Sequence, residues 1–325
     1  MAKSRKAEEL TAALKQIRNE PTSELGLAIL QQILGSKYPI VIAQAAQLMG
    51  EFEIHALMPD LVAAFNRLML QAKDSDPGCQ AKQAIAETLY RLNSSNEDLF
   101  LQGIRHVQKE PIWGGQVDTA PSLRSTCALG LVRMNYPLVM VELADLLADP
   151  ESEARIGAAR AIAYCGDERG VPLLRLRVKV GDTPPVLSEC LIALLKLDPT
   201  PSLPLVKDLL YSRQDEQGEI AEAVALALGE SRLPAAFPVL RDWWQQMRHP
   251  EVRKTGLLAI ATLRQDQAMA FLLSLVAEGH LNDAKDALQA ISIYRQDASL
   301  WHQVQQIVAQ RNDAVLLALA ERVVK

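Results

Sequence analysis

Residues 149–180 read DPESEARIGAARAIAYCGDERGVPLLRLRVKV, and the fold follows from how this stretch is punctuated. Asp149 is suited to cap free backbone amides, and Pro150 to a first helical position, where a missing amide proton costs nothing. The run Ala154-Arg155-Ile156-Gly157-Ala158-Ala159-Arg160-Ala161-Ile162-Ala163 then favours a helix whose small residues let neighbouring helices approach closely. After a break at Gly166-Asp167, the apolar residues Val171, Leu173, Leu174, Leu176, Val178 and Val180 give a second amphipathic helix. The stretch is a helical hairpin.

Outward from it the same punctuation recurs. Polar turn residues stand at Asp149-Pro150, Asp182-Thr183, Asp215-Glu216, His249-Pro250, Asn282-Asp283 and Asn312-Asp313, in steps of 33, 33, 34, 33 and 30. Upstream, Asp118 (with Thr119) and Asp76 (with Ser75) continue the series at steps of 31 and 42. A fixed period of this size identifies a repeat array before any single element is assigned. Thr183-Pro184 and His249-Pro250 repeat the helix-start device, and Val252 to Ala261 is a second alanine-rich helix. Phe237, Val239, Leu240, Trp243 and Met247 form another apolar stripe. Gly166, Gly181, Gly229 and Gly279 fall near helix ends, where a left-handed residue is often needed. No alternating β-branched run is long enough for a strand, so essentially no sheet is expected.

The units resemble the HEAT-repeat family, specifically the short bacterial HEAT-like repeats also found in phycobilin lyase subunits. The residues that carry the resemblance are Asp149-Pro150-Glu151, Ala154-Arg155, Ala158-Ala159, Ala161-Ile162, Gly166-Asp167 and Val171 to Leu174, and again His249 to Arg253 with Gly256 to Leu263. It spans residues 37–313. It implies an all-α fold, a right-handed α-solenoid of about eight helical hairpins whose stacking buries faces that one hairpin cannot bury alone. Residues 1–36 are expected to form a capping hairpin, 37–313 the repeats and 314–325 a capping helix of one domain.

Composition agrees. The chain of 325 residues is 49% hydrophobic but only 5% aromatic, a balance that suits packed helices. Its longest apolar runs, such as Leu191 to Leu195, fall far short of the roughly 18 residues that span a bilayer. The basic start Met1 to Lys6 leads into the amphipathic Ala7 to Ile17 instead of a signal core, so a cytoplasmic protein is expected. Cys79, Cys127, Cys165 and Cys190 lie too far apart for a zinc or dithiol motif and read as small core residues. A net charge of −5 opposes general nucleic-acid binding, which draws its affinity from cations.

No reaction centre is visible. His55, His106, His249, His280 and His302 are scattered without ligand spacing, and no phosphate loop, nucleophile elbow or zinc-protease signature occurs. Glu219 and Glu222 share a helix face, as solvated pairs do. No cofactor and no metal are expected.

Three features stand out as candidate binding elements. Lys82, Arg124, Arg155 and Arg253 hold matched places in the alanine-rich helices and would line up along one surface. In the HEAT resemblance such residues pair with a turn aspartate of a neighbouring unit, here Asp118, Asp149 or Asp182; contact with an acidic partner is the alternative. The long connector Glu110 to Pro121 carries Trp113 beside Gly114 and Gly115, and Trp113 either plugs a gap between irregular repeats or meets a partner. In Arg241-Asp242-Trp243-Trp244, adjacent indoles point about 100° apart, which assigns Trp243 to the core and leaves Trp244 at the rim. Arg175, Arg177 and Lys179 read as a solvated face. The expected function is a non-catalytic scaffold or adaptor that binds a protein partner through Trp113, Gly114, Gly115, Arg124, Arg155 and Trp244. A tetrapyrrole (bilin) lyase or chaperone-like subunit and a nucleic-acid-binding HEAT-like protein are the alternatives.

Overall fold

A computed structural model describes residues 2–70, 72–211 and 218–324, so the turn pair Asp215-Glu216 lies outside the described residues. The chain divides into two units, Met1–Gly166 and Asp167–Lys325.

The first unit runs α1 (Ala2–Gln16), α2 (Glu24–Leu34), α3 (Pro39–Glu51), α4 (Met58–Leu70), the short α5 (Ala72–Ser75), α6 (Gln80–Arg91), α7 (Glu97–Ile104), β1 (Lys109–Ile112), β2 (Gly115–Asp118), α8 (Pro121–Arg133), α9 (Val139–Leu147) and α10 (Ser152–Cys165). The alanine-rich helices stack in sequence, α3 on α6, α6 on α8 and α8 on α10, while α4, α7 and α9 pack beside them. Close approach depends on missing side chains: a Cβ on Gly157 of α10 would lie 2.1 Å from the Ser125 Oγ of α8.

The second unit runs α11 (Gly170–Val180), α12 (Pro184–Leu197), α13 (Pro199–Leu210), α14 (Glu219–Ser231), α15 (Ala236–Gln246), α16 (Pro250–Thr262), α17 (Asp266–Glu278), α18 (Leu281–Ile291), α19 (Ala298–Arg311) and α20 (Ala314–Val324). Here α12, α14, α16, α18 and α20 form the successive stack. The core of both units is aliphatic and alanine-rich, with Ala158, Ile162, Leu191, Leu194, Ala225 and Leu228 fully buried.

The helix-start device holds at Thr183-Pro184 and His249-Pro250, where proline takes the first turn. At Asp149 it does not. There α10 begins at Ser152, and the Asp149 carboxylate accepts from the Glu151 amide at 2.8 Å, closing a turn ahead of the helix and leaving the carboxylate placed for a neighbour. Gly166 and Gly181 take positive φ as expected, whereas Gly229 and Gly279 do not. Gly229 lies inside α14, where a Cβ would meet Thr262 and the Ala259 carbonyl of α16; there the reason for glycine is space. The larger correction is β1 and β2, an antiparallel pair with Lys109 opposite Asp118 and Ile112 opposite Gly115. Its strands lack the alternating apolar pattern because the ribbon stands out from the core, and Pro111 is tolerated because a two-stranded ribbon consists of edges.

Cys79, Cys127 and Cys190 are buried, while Cys165, the last residue of α10, is half-buried instead of a core residue. Burial pushes the Cys79 thiol up to about 12 and raises that of Cys127 as well. Because the thiolate is the reactive form, a thiol reagent at pH 8 is expected to label Cys165 in the native protein and the other three only after unfolding. Rapid native labelling of Cys127 would contradict this packing.

Candidate functional site

Among the described residues the β1–β2 ribbon is the one strand pair, and its base is fixed by a buried polar network. Asp76 and Lys82 are both 0% exposed. The Asp76 carboxylate accepts from the amides of Ala81 and Lys82 at 3.0 and 2.9 Å and lies 3.2 Å from the Lys82 Nζ. Gln108 Nε2 donates to the Asp76 carbonyl at 2.9 Å and to Glu110 at 2.6 Å. Glu110 accepts in addition from the Gly78 amide at 2.7 Å and Thr119 Oγ1 at 2.9 Å. Strand β1 is thereby tied to the turn that precedes α6. On its other side Lys109 reaches Glu151 at 3.4 Å, ahead of α10.

Asp118 closes the base. Its Oδ1 accepts from the amides of Gln108 and Ala120, both at 3.0 Å, and its Oδ2 accepts from Arg124 at 2.8 Å. Arg124, 2% exposed, also donates to the His106 carbonyl at 2.8 Å and to Asp149 at 3.0 Å. Burial pushes the Asp118 carboxyl up, but the two amides and the Arg124 guanidinium outweigh it and hold the group below the ordinary carboxylate value.

At the far end of the ribbon the environment is the opposite. Trp113 and Gly114 form the two-residue turn, with Gly114 at φ +86°, and Trp113 is fully exposed at 103%. A Cβ on Gly114 or Gly115 would meet nothing within 4 Å. Ile112 and Val117 fall on one face of the ribbon by register, and both are exposed. The tip is thus a solvated apolar surface on a rigid base. Trp113 does not plug the core, because the pairing of β1 with β2 carries it away from the helices.

Three of the expected contact residues lie elsewhere. Arg124 sits beneath the ribbon base. Arg155 donates to the carbonyls of Asp149 and Pro150 at 2.7 and 2.8 Å and to Ser152 Oγ at 3.1 Å, nearly buried at the turn before α10. Both guanidiniums serve the packing of repeats, because buried charge is stable only when paired. Trp244 is 4% exposed, not at the rim. The ring of Phe271 meets it edge-on with centroids 5.6 Å apart, and the Arg253 guanidinium covers it at 4.0 Å. Arg253 in turn pairs with Asp283 at 2.8 Å. Adjacent indoles can both be buried because Gly256 of α16 leaves room for the two rings, while Phe271 and Arg253 close over Trp244. The apolar partners Ile112 and Val117 were not singled out from sequence; the two-residue Trp113-Gly114 turn was the available signal.

Among the described residues no group of three or more His, Cys, Asp and Glu is placed to hold a metal ion, and no helix is long and apolar enough to cross a membrane.

Stacked helical hairpins of this kind define a helical-repeat protein. Residues 203–292, within the second unit, match the family of HEAT repeats, in keeping with the resemblance carried by the sequence. No curated protein matches its sequence. Among solved structures it is similar to a chain in a homology model of the full-length AP-3 complex in an intermediate open conformation, with TM-score 0.50 and 16% identity over 92% of this chain and 51% of that one. The crystal structure of an engineered protein gives TM-score 0.37 and 16% identity, covering 92% and 87% of the two chains. Human deoxyhypusine hydroxylase in complex with glycerol gives 0.27 and 14%, covering 89% and 96%. This chain spans about half the length of the AP-3 chain it matches, and at such identities the likeness concerns the fold alone. These matches do not extend the resemblance to phycobilin lyase subunits.

Proposed function

We propose that the protein is a non-catalytic scaffold that binds a protein partner, with the β1–β2 tip as a principal contact. The observation that carries this reading is Trp113, a fully exposed indole held at the end of a ribbon whose base is fixed by Asp76, Gln108, Glu110, Asp118 and Arg124. A rigid exposed aromatic loses little conformational freedom on binding and is the side chain most often found at interface hot spots. The neighbouring Ile112 and Val117 would widen the contact, and Gly114 and Gly115 keep the tip slim enough to enter a groove.

Trp113→Ala separates this role from a structural one. The expected result is an unchanged melting temperature, since the indole touches no core, together with partner binding weakened by more than about 1 kcal/mol. Tagged wild-type and variant proteins purified in parallel from the native host would identify proteins recovered only with the wild type, and titration of those proteins would give the difference in affinity. Equal recovery and equal affinity for both forms would refute the assignment of the ribbon.

A further inference from the structure

A second surface lies in the second unit and owes nothing to the ribbon. The turns that follow α14, α16 and α18 each present an arginine: Arg232, Arg264 and Arg295. The latter two stand in the repeated sequences Arg264-Gln265-Asp266 and Arg295-Gln296-Asp297. Successive turns are directly linked. Gln265 Nε2 donates to the carbonyl of Leu233 at 2.9 Å, and the Tyr294 hydroxyl donates to that of Ala261 at 2.6 Å. All three arginines are exposed, and among the described residues none is ion-paired.

Two of them occupy costly backbone. Arg232 and Arg264 have φ of +53° and +56°, a region that favours glycine and asparagine. The corresponding places in the first unit are held by Glu53, Asn93, Asn135 and Gly166, none of them cationic. Beside Arg264 opens a cleft of about 620 Å³ whose floor includes Met269, Leu273, Leu300 and Tyr294. Asp266 and Asp297 line the same cleft, each at the start of a helix. Asp297 caps α19 through the amides of Ser299 and Leu300, and Asp266 lies in the first turn of α17, where the helix dipole favours it.

We infer that Arg232, Arg264 and Arg295, with the adjoining cleft, bind an extended acidic segment of a partner protein in which carboxylates recur at every third residue. The spacing argument is geometric. Packed helices lie about 8–10 Å apart, so a ladder with one rung per repeat has about that step. A polyproline II strand rises about 9 Å in three residues and returns to the same face each time. Carboxylates at that period meet successive guanidiniums, and an apolar residue between them can enter the cleft. Asp266 and Asp297 beside the arginines favour a ligand with spaced carboxylates over nucleic acid, whose closely spaced phosphates would meet them.

The test uses the full chain and a fluorescent synthetic peptide of Glu-Pro-Pro repeats, read by anisotropy at low salt. Three further probes are an isomer with its glutamates in one block, the glutamine analogue, and a single-stranded oligonucleotide of equal charge. The regular peptide should bind best, and the combined variant Arg232→Gly, Arg264→Gly and Arg295→Ala should bind it at least about tenfold more weakly, as expected when charged contacts are lost. Glycine is at ease at both positive-φ places, so this variant should melt no lower than the wild type. The single variant Arg264→Gly, expected to lose a smaller part of the affinity, serves if the triple variant melts early. Trp113→Ala should leave peptide binding unchanged, so failure of the ribbon assignment would be seen separately. Absence of binding, equal binding of the block isomer or of the arginine variants, or tighter binding of the oligonucleotide would each overturn the inference.

Discussion

Replacement of Arg124 by alanine is expected to destabilise the first unit by about 3–5 kcal/mol, the range for removing one partner of a buried ion pair. The guanidinium joins Asp118, at the end of β2, to Asp149, ahead of α10, and also satisfies the His106 carbonyl. Without it two carboxylates and a carbonyl are left with less than their full set of donors in a site that is almost wholly buried. The pH dependence follows from the sign of the Asp118 shift. Its folded-state value is depressed, so its contribution is fully present above the unfolded value and is lost as pH falls through the folded one. Arg124→Ala removes part of that downward pull. Acid unfolding of the variant, followed by far-UV circular dichroism, is therefore expected to begin at higher pH than in the wild type. An Arg124→Ala protein with wild-type denaturation and an unchanged acid midpoint would show that the ribbon base is not held by this residue.

Trp243→Ala is expected to cost the second unit a similar amount, about 3–5 kcal/mol, through the cavity left by a large aromatic. Trp243 is the largest fully buried side chain. Gly256 of α16 makes the room: a Cβ there would lie 3.0 Å from the Trp243 ring and 3.1 Å from Trp244. Trp243→Phe should lose considerably less, because among the described residues the Trp243 indole N–H has no hydrogen-bond acceptor, and an unmade bond of that kind costs about 1–3 kcal/mol. The ordering is measurable by guanidinium denaturation of both variants, with the fluorescence of Trp244 and Trp301 reporting on this unit. Equal losses for alanine and phenylalanine would contradict the packing described for α15 and α16.

The helical hairpins are specified by local signals, and these survive tertiary packing well. Thr-Pro and His-Pro punctuation, alanine-rich first helices and apolar stripes recur at steps of about 33 residues, so each repeat states the same preference again. The matched row Lys82, Arg124, Arg155 and Arg253 was visible for the same reason; pairing with the turn aspartate of a neighbouring unit appears for Arg124 with Asp149 and Arg253 with Asp283, whereas Lys82 with Asp76 and Arg124 with Asp118 pair with the turn before their own helix. The ribbon was visible only as an irregularity. Pro111 and the glycines mark a break, but strand pairing depends on which residues the chain brings opposite one another, and a ribbon outside the core has no burial pattern to announce it.

The sequence by itself determined the helices, their period, their small-residue faces and the position of the one insertion, because each depends on residues within a turn or two of one another. Only the tertiary structure decided exposure. Trp113 and Trp244 look equally available in the sequence, yet one is free at the ribbon tip and the other is sealed by Phe271 and Arg253. Arg124 and Arg264 are both cations of the repeats, yet one is enclosed between two aspartates and the other faces solvent. Burial is set by the neighbouring repeat some 30 residues away, and no local pattern records which face that neighbour covers.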